Sequence, residues 1–191
     1  MRLKELVERN RSYRRFHQEV AIPEQCLLEL VDLGRLSASA GNNQPLRYML
    51  VATPERCQLL FDKLAWAAYL KDWPGPAEGE RPSAYILMLS DAEVKHPMGL
   101  DHGFAAQSIL LGAVEKGLGG CVIGAFNHAA LRAEFGIPER YEPLLVLALG
   151  KPKEQVVIDC AGPEDEIRYW RDEHQIHHVP KRRLADIILP Y

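Results

Sequence analysis

Residues 101–116 read DHGFAAQSILLGAVEK, and GLGGCVIG follows directly over 117–124. Phe104, Ala105, Ala106, Ile109, Leu110, Leu111, Ala113 and Val114 leave little polar face on this helix, and a helix apolar nearly all round is buried on most sides. In a chain this short, a subunit interface is a simple way to cover the second side. Asp101 reads as the N-cap. The glycines after Lys116 read as a helix C-cap running into a tight turn, with Cys121-Val-Ile as the next strand. A dinucleotide fingerprint fails on spacing, because Val122 stands where the third glycine would fall. It fails on context too, since these glycines follow a helix and precede a strand. A turn packed against another ligand stays open.

Outward from this stretch, apolar strands and helices alternate in an α/β pattern. Leu3, Leu6 and Val7 make a short amphipathic helix. Ile22-Pro23-Glu24 opens a second, with Leu27, Leu28, Leu30, Val31 and Leu33 as its apolar face, stopped over 37–41. Buried strands are expected at 48–52, 84–89 and 144–149, the last closed by Gly150-Lys-Pro. Thr53-Pro54 caps a helix running to about Leu70, and Asn127 caps one over 128–136. The segment 72–82, with three prolines and two glycines, reads as a surface connection, a lid being the alternative. From Cys160 onward the chain is polar, with scattered bulky apolar residues and little room for a core. It is expected to wrap the domain or a partner, giving a core over 1–162 and an arm over 163–191 of the same domain.

The 191 residues are 47% hydrophobic and 26% charged, with a net charge of −3, an ordinary soluble composition that excludes a disordered or collagen-like chain. Nucleic acid is excluded as the main partner, because counterion release needs a concentrated basic face. No window approaches the ~18 apolar residues of a membrane helix, and MRLKELVERNRSYRRF has no signal-peptide core. Cys26, Cys57, Cys121 and Cys160 form no CxxC pair, and a reducing cytoplasm is the simple reading.

The chemistry-bearing clusters are few. His174, His177 and His178 form HxxHH, read as a solvated tail because Val179-Pro180 implies extended backbone and no acidic ligand supports a metal. Asp91, His96, Asp101 and His102 are compatible with a metal or acid–base cluster. Cys121, among apolar neighbours, reads as an inert buried thiol. Arg11-Ser12-Tyr13-Arg14-Arg15 offers guanidinium forks and a hydroxyl suited to a compact anion, and Lys181-Arg182-Arg183 offers a second set. Ser39-Ala-Gly-Asn42-Asn43-Gln44-Pro45 is a small-residue turn rich in amides, which both donate and accept hydrogen bonds, as a heterocycle edge requires. Two cationic ends and an amide turn suit a phosphorylated heterocycle.

In this order the chain resembles the FMN-dependent nitroreductase-like flavoproteins. RSYRRF at 11–16 is similar to the family's RSxRxF, and SAGNNQP at 39–45 to its PSxxNxQP turn. The stretch 99–126 is similar to its central helix and glycine turn, and VPKRRLADII at 179–188 to its closing basic arm. Asn10 stands where many members carry a second basic residue, so the phosphate grip leans on the C-terminal arm. Ala38 replaces the proline before the serine, and Leu46 the aromatic after QP.

The resemblance implies an α+β sandwich with a mixed or antiparallel sheet flanked by helices. It also implies an intertwined homodimer, with FMN at the subunit interface and each arm embracing the other subunit. Arg11 and Ser12 would hold the phosphate end, completed by Lys181 and Arg183. Arg14 would lie by the pyrimidine edge. Ser39, Asn42 and Gln44 would contact the flavin from the amide turn, and Ile123 and Gly124 would line its ring with their backbone groups. No residue of this set is a catalytic acid, base or nucleophile, since the flavin carries the chemistry. The activity implied is ping-pong electron transfer from NADH or NADPH through FMN to a small electron-poor acceptor, a nitroaromatic or quinone. A non-catalytic flavin-binding protein is the alternative from another class, and dehalogenation or dehydrogenation is the alternative on the same fold.

Overall fold

A computed structural model describes residues 1–94 and 99–190 of the chain. Its helices are α1 Leu3–Arg9, α2 Glu24–Arg35, α3 Pro54–Phe61, α4 Asp101–Glu115 and α5 His128–Phe135. Its strands are β1 Phe16–His17, β2 Leu46–Val51, β3 Ala84–Asp91, β4 Gly119–Ile123, β5 Tyr141–Pro152, β6 Val156–Ala161, β7 Trp170–Arg171 and β8 His177–Arg182.

All eight residues of β3 are buried. Because side chains alternate along a strand, Ala84, Ile86 and Met88 face a layer of α2 and α4, meeting Leu27, Leu30, Ile109 and Ala113. Tyr85, Leu87 and Leu89 face the opposite layer of α3 and α5, meeting Cys57, Leu60, Leu131 and Phe135. β5 divides the same way, with Leu147 and Leu149 on one side and Val146 and Ala148 on the other. The result is a three-layer α+β sandwich, the architecture that the resemblance implies. The main sheet runs β1-β5-β3-β2 with β4 also on β5, and every strand pair in it is antiparallel. The alternation of helices and strands fits a parallel α/β sheet equally well. The difference lies in the connection from β2 to β3, where a short α3 is followed by a long loop that returns the chain to the end it left.

Three boundaries differ from the sequence reading. α3 stops at Phe61 instead of running to Leu70, because the next backbone groups bond elsewhere. Leu64 bridges Phe126, and Ala65 N–H donates to the Ala125 carbonyl at 2.9 Å. β5 continues through Gly150-Lys151-Pro152, where Gly150 is not a stop. A Cβ at Gly150 would sit 2.7 Å from the Phe16 ring, so the glycine admits β1 to the sheet. Asp101 is the first helical residue of α4, and Leu100 takes the cap position. The 72–82 segment is an irregular connection, with Gly75 against Trp66 and Arg171 stacked over Trp73 at 4.3 Å.

The end of the chain forms its own small sheet, β6 parallel to β8 and β7 antiparallel to β8. Beyond it Leu184, Ile187, Ile188 and Leu189 are exposed. Among the described residues no helix is long and apolar enough to cross a membrane.

Gly120 is where β4 is pressed between β5 and α4. A Cβ there would lie 2.6 Å from both the Ala148 carbonyl oxygen and Leu110 Cδ2. A backbone atom cannot rotate away, so Gly120→Ala should cost about 1–3 kcal/mol of stability. Urea unfolding of the variant measures this, and an unchanged midpoint would show that the sheet yields freely there.

Candidate functional site

The loop after α1 lies along β4. Ser12 bridges Gly120 in parallel fashion, and Tyr13 N–H donates to the Gly120 carbonyl at 3.0 Å. The carboxylate of Glu154, whose side chain is 0% exposed, then fixes the loop. One oxygen accepts from the main-chain N–H groups of Arg14 and Arg15, the other from Arg171 Nη2 at 2.9 Å. Arg15 is taken up by Glu80 through two hydrogen bonds of 2.6 and 2.7 Å, which hold the Glu80 carboxyl down at about 2.

Arg14 is treated differently. It is 9% exposed, and its guanidinium makes no ion pair among the described residues. Nη1 donates to the Ser12 carbonyl and faces His177 Nε2, each at 3.2 Å, while the group lies 4.8 Å from the centre of the Tyr169 ring. A guanidinium only donates, so Nε2 is the acceptor and the ring proton sits on Nδ1. His177 is 1% exposed, and burial, reinforced by Arg14 and Arg171, lowers its pKa to about 4. It is a neutral acceptor that adds no charge.

Arg14, Trp66, Cys121, Ile123, Gly124 and Tyr169 line a cavity of about 140 Å³. A Cβ at Gly124 would meet nothing closer than Leu145 at 3.8 Å. Packing therefore does not demand glycine there, and its absent side chain leaves the end of β4 bare. Burial raises the pKa of the Cys121 thiol, which keeps it protonated and inert.

The amide turn sits at a second cavity of about 190 Å³, lined by Ser39 and Gln44 among others. Gly41, Asn42 and Gln44 have φ of 59°, 53° and 50°, the left-handed region that asparagine tolerates better than glutamine. Asp101 ties this turn to α4, accepting from Ser39 Oγ at 2.5 Å and from Ala40 N–H at 3.1 Å. That cross-tie is the work of the residue read as a cap. Among the described residues the acid–base cluster around it is not assembled either. Asp91 accepts three hydrogen bonds of 2.7–2.9 Å from Arg140 and Arg47, and His96 lies outside the described residues.

Arg14, Ile123 and Gly124 thus meet in one pocket, with Ser12 on the adjoining edge of β4. Ser39 and Gln44 line a different cavity of the same chain, and Asn42 is exposed beside it. Arg11 Nη2 donates to the Val7 carbonyl at 2.7 Å, while its buried Nε has no partner among the described residues. Lys181 is exposed on β8, and Arg183 just beyond it is bonded to Asp186 at 2.8 Å. The HxxHH segment is not a solvated tail. Only His174 is exposed; His178 pairs with Asp159 at 3.0 Å and stacks on Trp170 at 4.1 Å. No group of three or more His, Cys, Asp or Glu among the described residues is placed to hold a metal. Sequence reasoning missed Glu154, Tyr169 and Arg171. No spacing or motif in the sequence links these residues to the Arg14 loop.

The nitroreductase family model matches residues 7–151. A relative from Methanothermobacter thermautotrophicus, provisionally named an NADH dehydrogenase/NAD(P)H nitroreductase, is 27% identical over 157 residues, covering 78% of this chain and 77% of that one. A nitroreductase family protein from Clostridium novyi superposes with a TM-score of 0.68 at 23% identity, covering 80% of this chain and 88% of its own. A Clostridium difficile protein described as an FMN-dependent nitroreductase has a TM-score of 0.65 at 20% identity, over 80% and 89% of the two chains. The chain belongs to the nitroreductase family. Glu154, Tyr169, Arg171 and His177 all follow the part that the family model matches.

Because His177 titrates at about 4 in the fold and near 6.5 when unfolded, its contribution is fully present above pH 6.5. As pH falls toward 4 the unfolded chain takes up a proton that the folded chain resists, so stability declines across that window. Urea midpoints between pH 7 and 4 should show the fall, and His177→Gln, which keeps an acceptor for Arg14, should reduce it. Equal pH dependence in both proteins would remove His177 as the cause.

Proposed function

We propose that this protein is an FMN-dependent oxidoreductase that draws electrons from NADH or NADPH and delivers them to a small electron-poor acceptor, a nitroaromatic or a quinone. The observation that carries the reading is Arg14, a buried cation with no carboxylate partner among the described residues, beside the bare end of β4. The residues fit the group. Arg14 offers positive charge to an electron-rich ring edge, and Arg11, one nitrogen of which is bonded to the Val7 carbonyl, adds a second cation on the same loop. The backbone of Ile123 and Gly124 offers hydrogen-bonding groups to the ring.

Bound there, FMN would supply the redox chemistry, accepting electrons from the reduced nicotinamide and yielding them to the acceptor in alternate half-reactions. The chain's part is binding, charge and exclusion of water. Arg14 stabilises negative charge on the pyrimidine edge, and neutral His177 holds its guanidinium without competing for that charge. Trp66 and Tyr169 wall the pocket against solvent. Ser12, Arg11, Lys181 and Arg183 hold the phosphate end, and Ser39, Asn42 and Gln44 the polar edges.

We further propose a homodimer with the flavin at its interface. In one chain the amide turn and the Arg14 pocket share no lining residue, and a second copy would supply one to the other. The exposed Leu184, Ile187, Ile188 and Leu189 suit an arm that packs on a partner. The four free cysteines fit a reducing cytoplasm.

Cofactor released by heating should be FMN by chromatography, and reduced nicotinamide should bleach it until an acceptor is added. FAD, or no flavin binding, would end the reading. In FMN-saturated Arg14→Ala the flavin's midpoint potential should fall, by roughly 30 mV for each ~1.4 kcal/mol of lost stabilisation. Arg11→Ala should weaken FMN binding by about 1–3 kcal/mol. Light scattering should give a dimer at micromolar concentration, and a flavin-loaded monomer would refute the interface site.

A further inference from the structure

A third cavity, of about 470 Å³, opens between the β1–α2 turn, α3 and the residues leading into β3. It shares no lining residue with the pocket of Arg14. Ala52, Pro54, Phe61 and Pro82 give it apolar walls, and its size suits a small organic ligand. Among the described residues, three buried polar atoms of its lining have no hydrogen-bond partner: Arg81 Nε, Ser83 Oγ and the Tyr85 hydroxyl. Tyr85 is 0% exposed, and burial holds its phenol protonated. Arg81 lies over Phe61 at 4.3 Å, and Nη1 donates to the neutral amide of Gln58. Among the described residues Arg81 makes no ion pair.

Each of these features is unfavourable alone. A partly buried cation lacks a counter-charge, and two hydroxyls are withdrawn from water without partners. All three residues line the one cavity, so an acceptor bound there would be offered to each of them. We propose that this cavity binds a small monoanionic aromatic acid, its carboxylate held by Arg81, Ser83 and Tyr85 and its ring by the apolar walls. Glu19 and Glu78, exposed at the rim, disfavour a second negative charge on the ligand. The ligand is bound and not attacked. The Cys57 thiol in the wall donates to main-chain carbonyls and is pushed up to about 11, so it offers no nucleophile.

Benzoate is the probe, with benzamide as its neutral isostere, titrated by ligand-detected NMR and thermal shift with and without excess FMN. Benzoate should saturate one site, about tenfold more tightly than benzamide, with FMN making no difference. Arg81→Gln should weaken benzoate about tenfold, and Tyr85→Phe and Ser83→Ala each about fivefold. Tyr85→Phe keeps the ring packed, so its melting point without benzoate should stay level or rise as an unpaired hydroxyl is removed. The proposal is overturned if benzoate shows no saturable binding, if benzamide binds equally, or if FMN displaces benzoate. It is also overturned if Tyr85→Phe leaves affinity unchanged, or lowers the ligand-free melting point, which would mean that buried water already pairs the hydroxyl.

Discussion

β3 has no face to show to water. Its eight buried residues alternate between two apolar layers, and its main-chain groups can be satisfied only by strands on either side. Helices are therefore required on both faces, which α2 and α4 supply on one and α3 and α5 on the other. β5 must be long, because it covers β3 on one edge and carries β4 and β1 in succession on the other. That crowding is possible because glycine stands at 119, 120 and 150, where added Cβ atoms would strike Tyr13, Ala148 and Phe16. The loop holding Arg14 is laid against the same crowded edge. The candidate site is thus a consequence of how β5 is shared.

Electrostatics at that edge follow from one buried carboxylate. Glu154 spends its oxygens on two main-chain N–H groups and on Arg171, and among the described residues no carboxylate pairs with the Arg14 side chain. A neutral His177 supplies a hydrogen-bond acceptor where a second carboxylate would cancel the charge. The pocket consequently carries a cation held in place but not compensated, the state in which positive charge acts most strongly on a bound anion or an electron-accepting ring. The small sheet of β6, β7 and β8 exists to deliver these partners. Pairing β8 with β6 and β7 brings Arg171 and His177 back to a loop at the other end of the chain.

Local readings succeeded where the physics is local. The apolar run of β3, the near-uniform apolarity of α4 and the Asn127 cap, whose Oδ1 accepts from Ala130 N–H at 2.9 Å, declare themselves within a few residues. The helix after Thr53 was read too long because nothing near Leu64 and Ala65 in sequence reveals that their backbone groups bond to residues 125 and 126. Gly150-Lys-Pro looked like a strand end for the same reason, since its meaning lies in Phe16. Asp101 carried the chemistry of a cap, yet its carboxylate is aimed at Ser39 and Ala40, some sixty residues earlier.

By itself, then, the sequence determined the core strands, the apolarity of α4 and the family likeness of its basic and amide clusters. Each of these depends on periodicity or on a short run of residue types. Only the tertiary structure decided how the arginines in RSYRR are paired. Arg15 is neutralised by Glu80 and Arg14 is not, and neighbouring residues of identical chemistry are separated only by what folds against them. The same holds for HxxHH, whose middle histidine is buried against Arg14 from 163 residues away. Charge and proton affinity are set by burial and by partners, and neither is written in spacing.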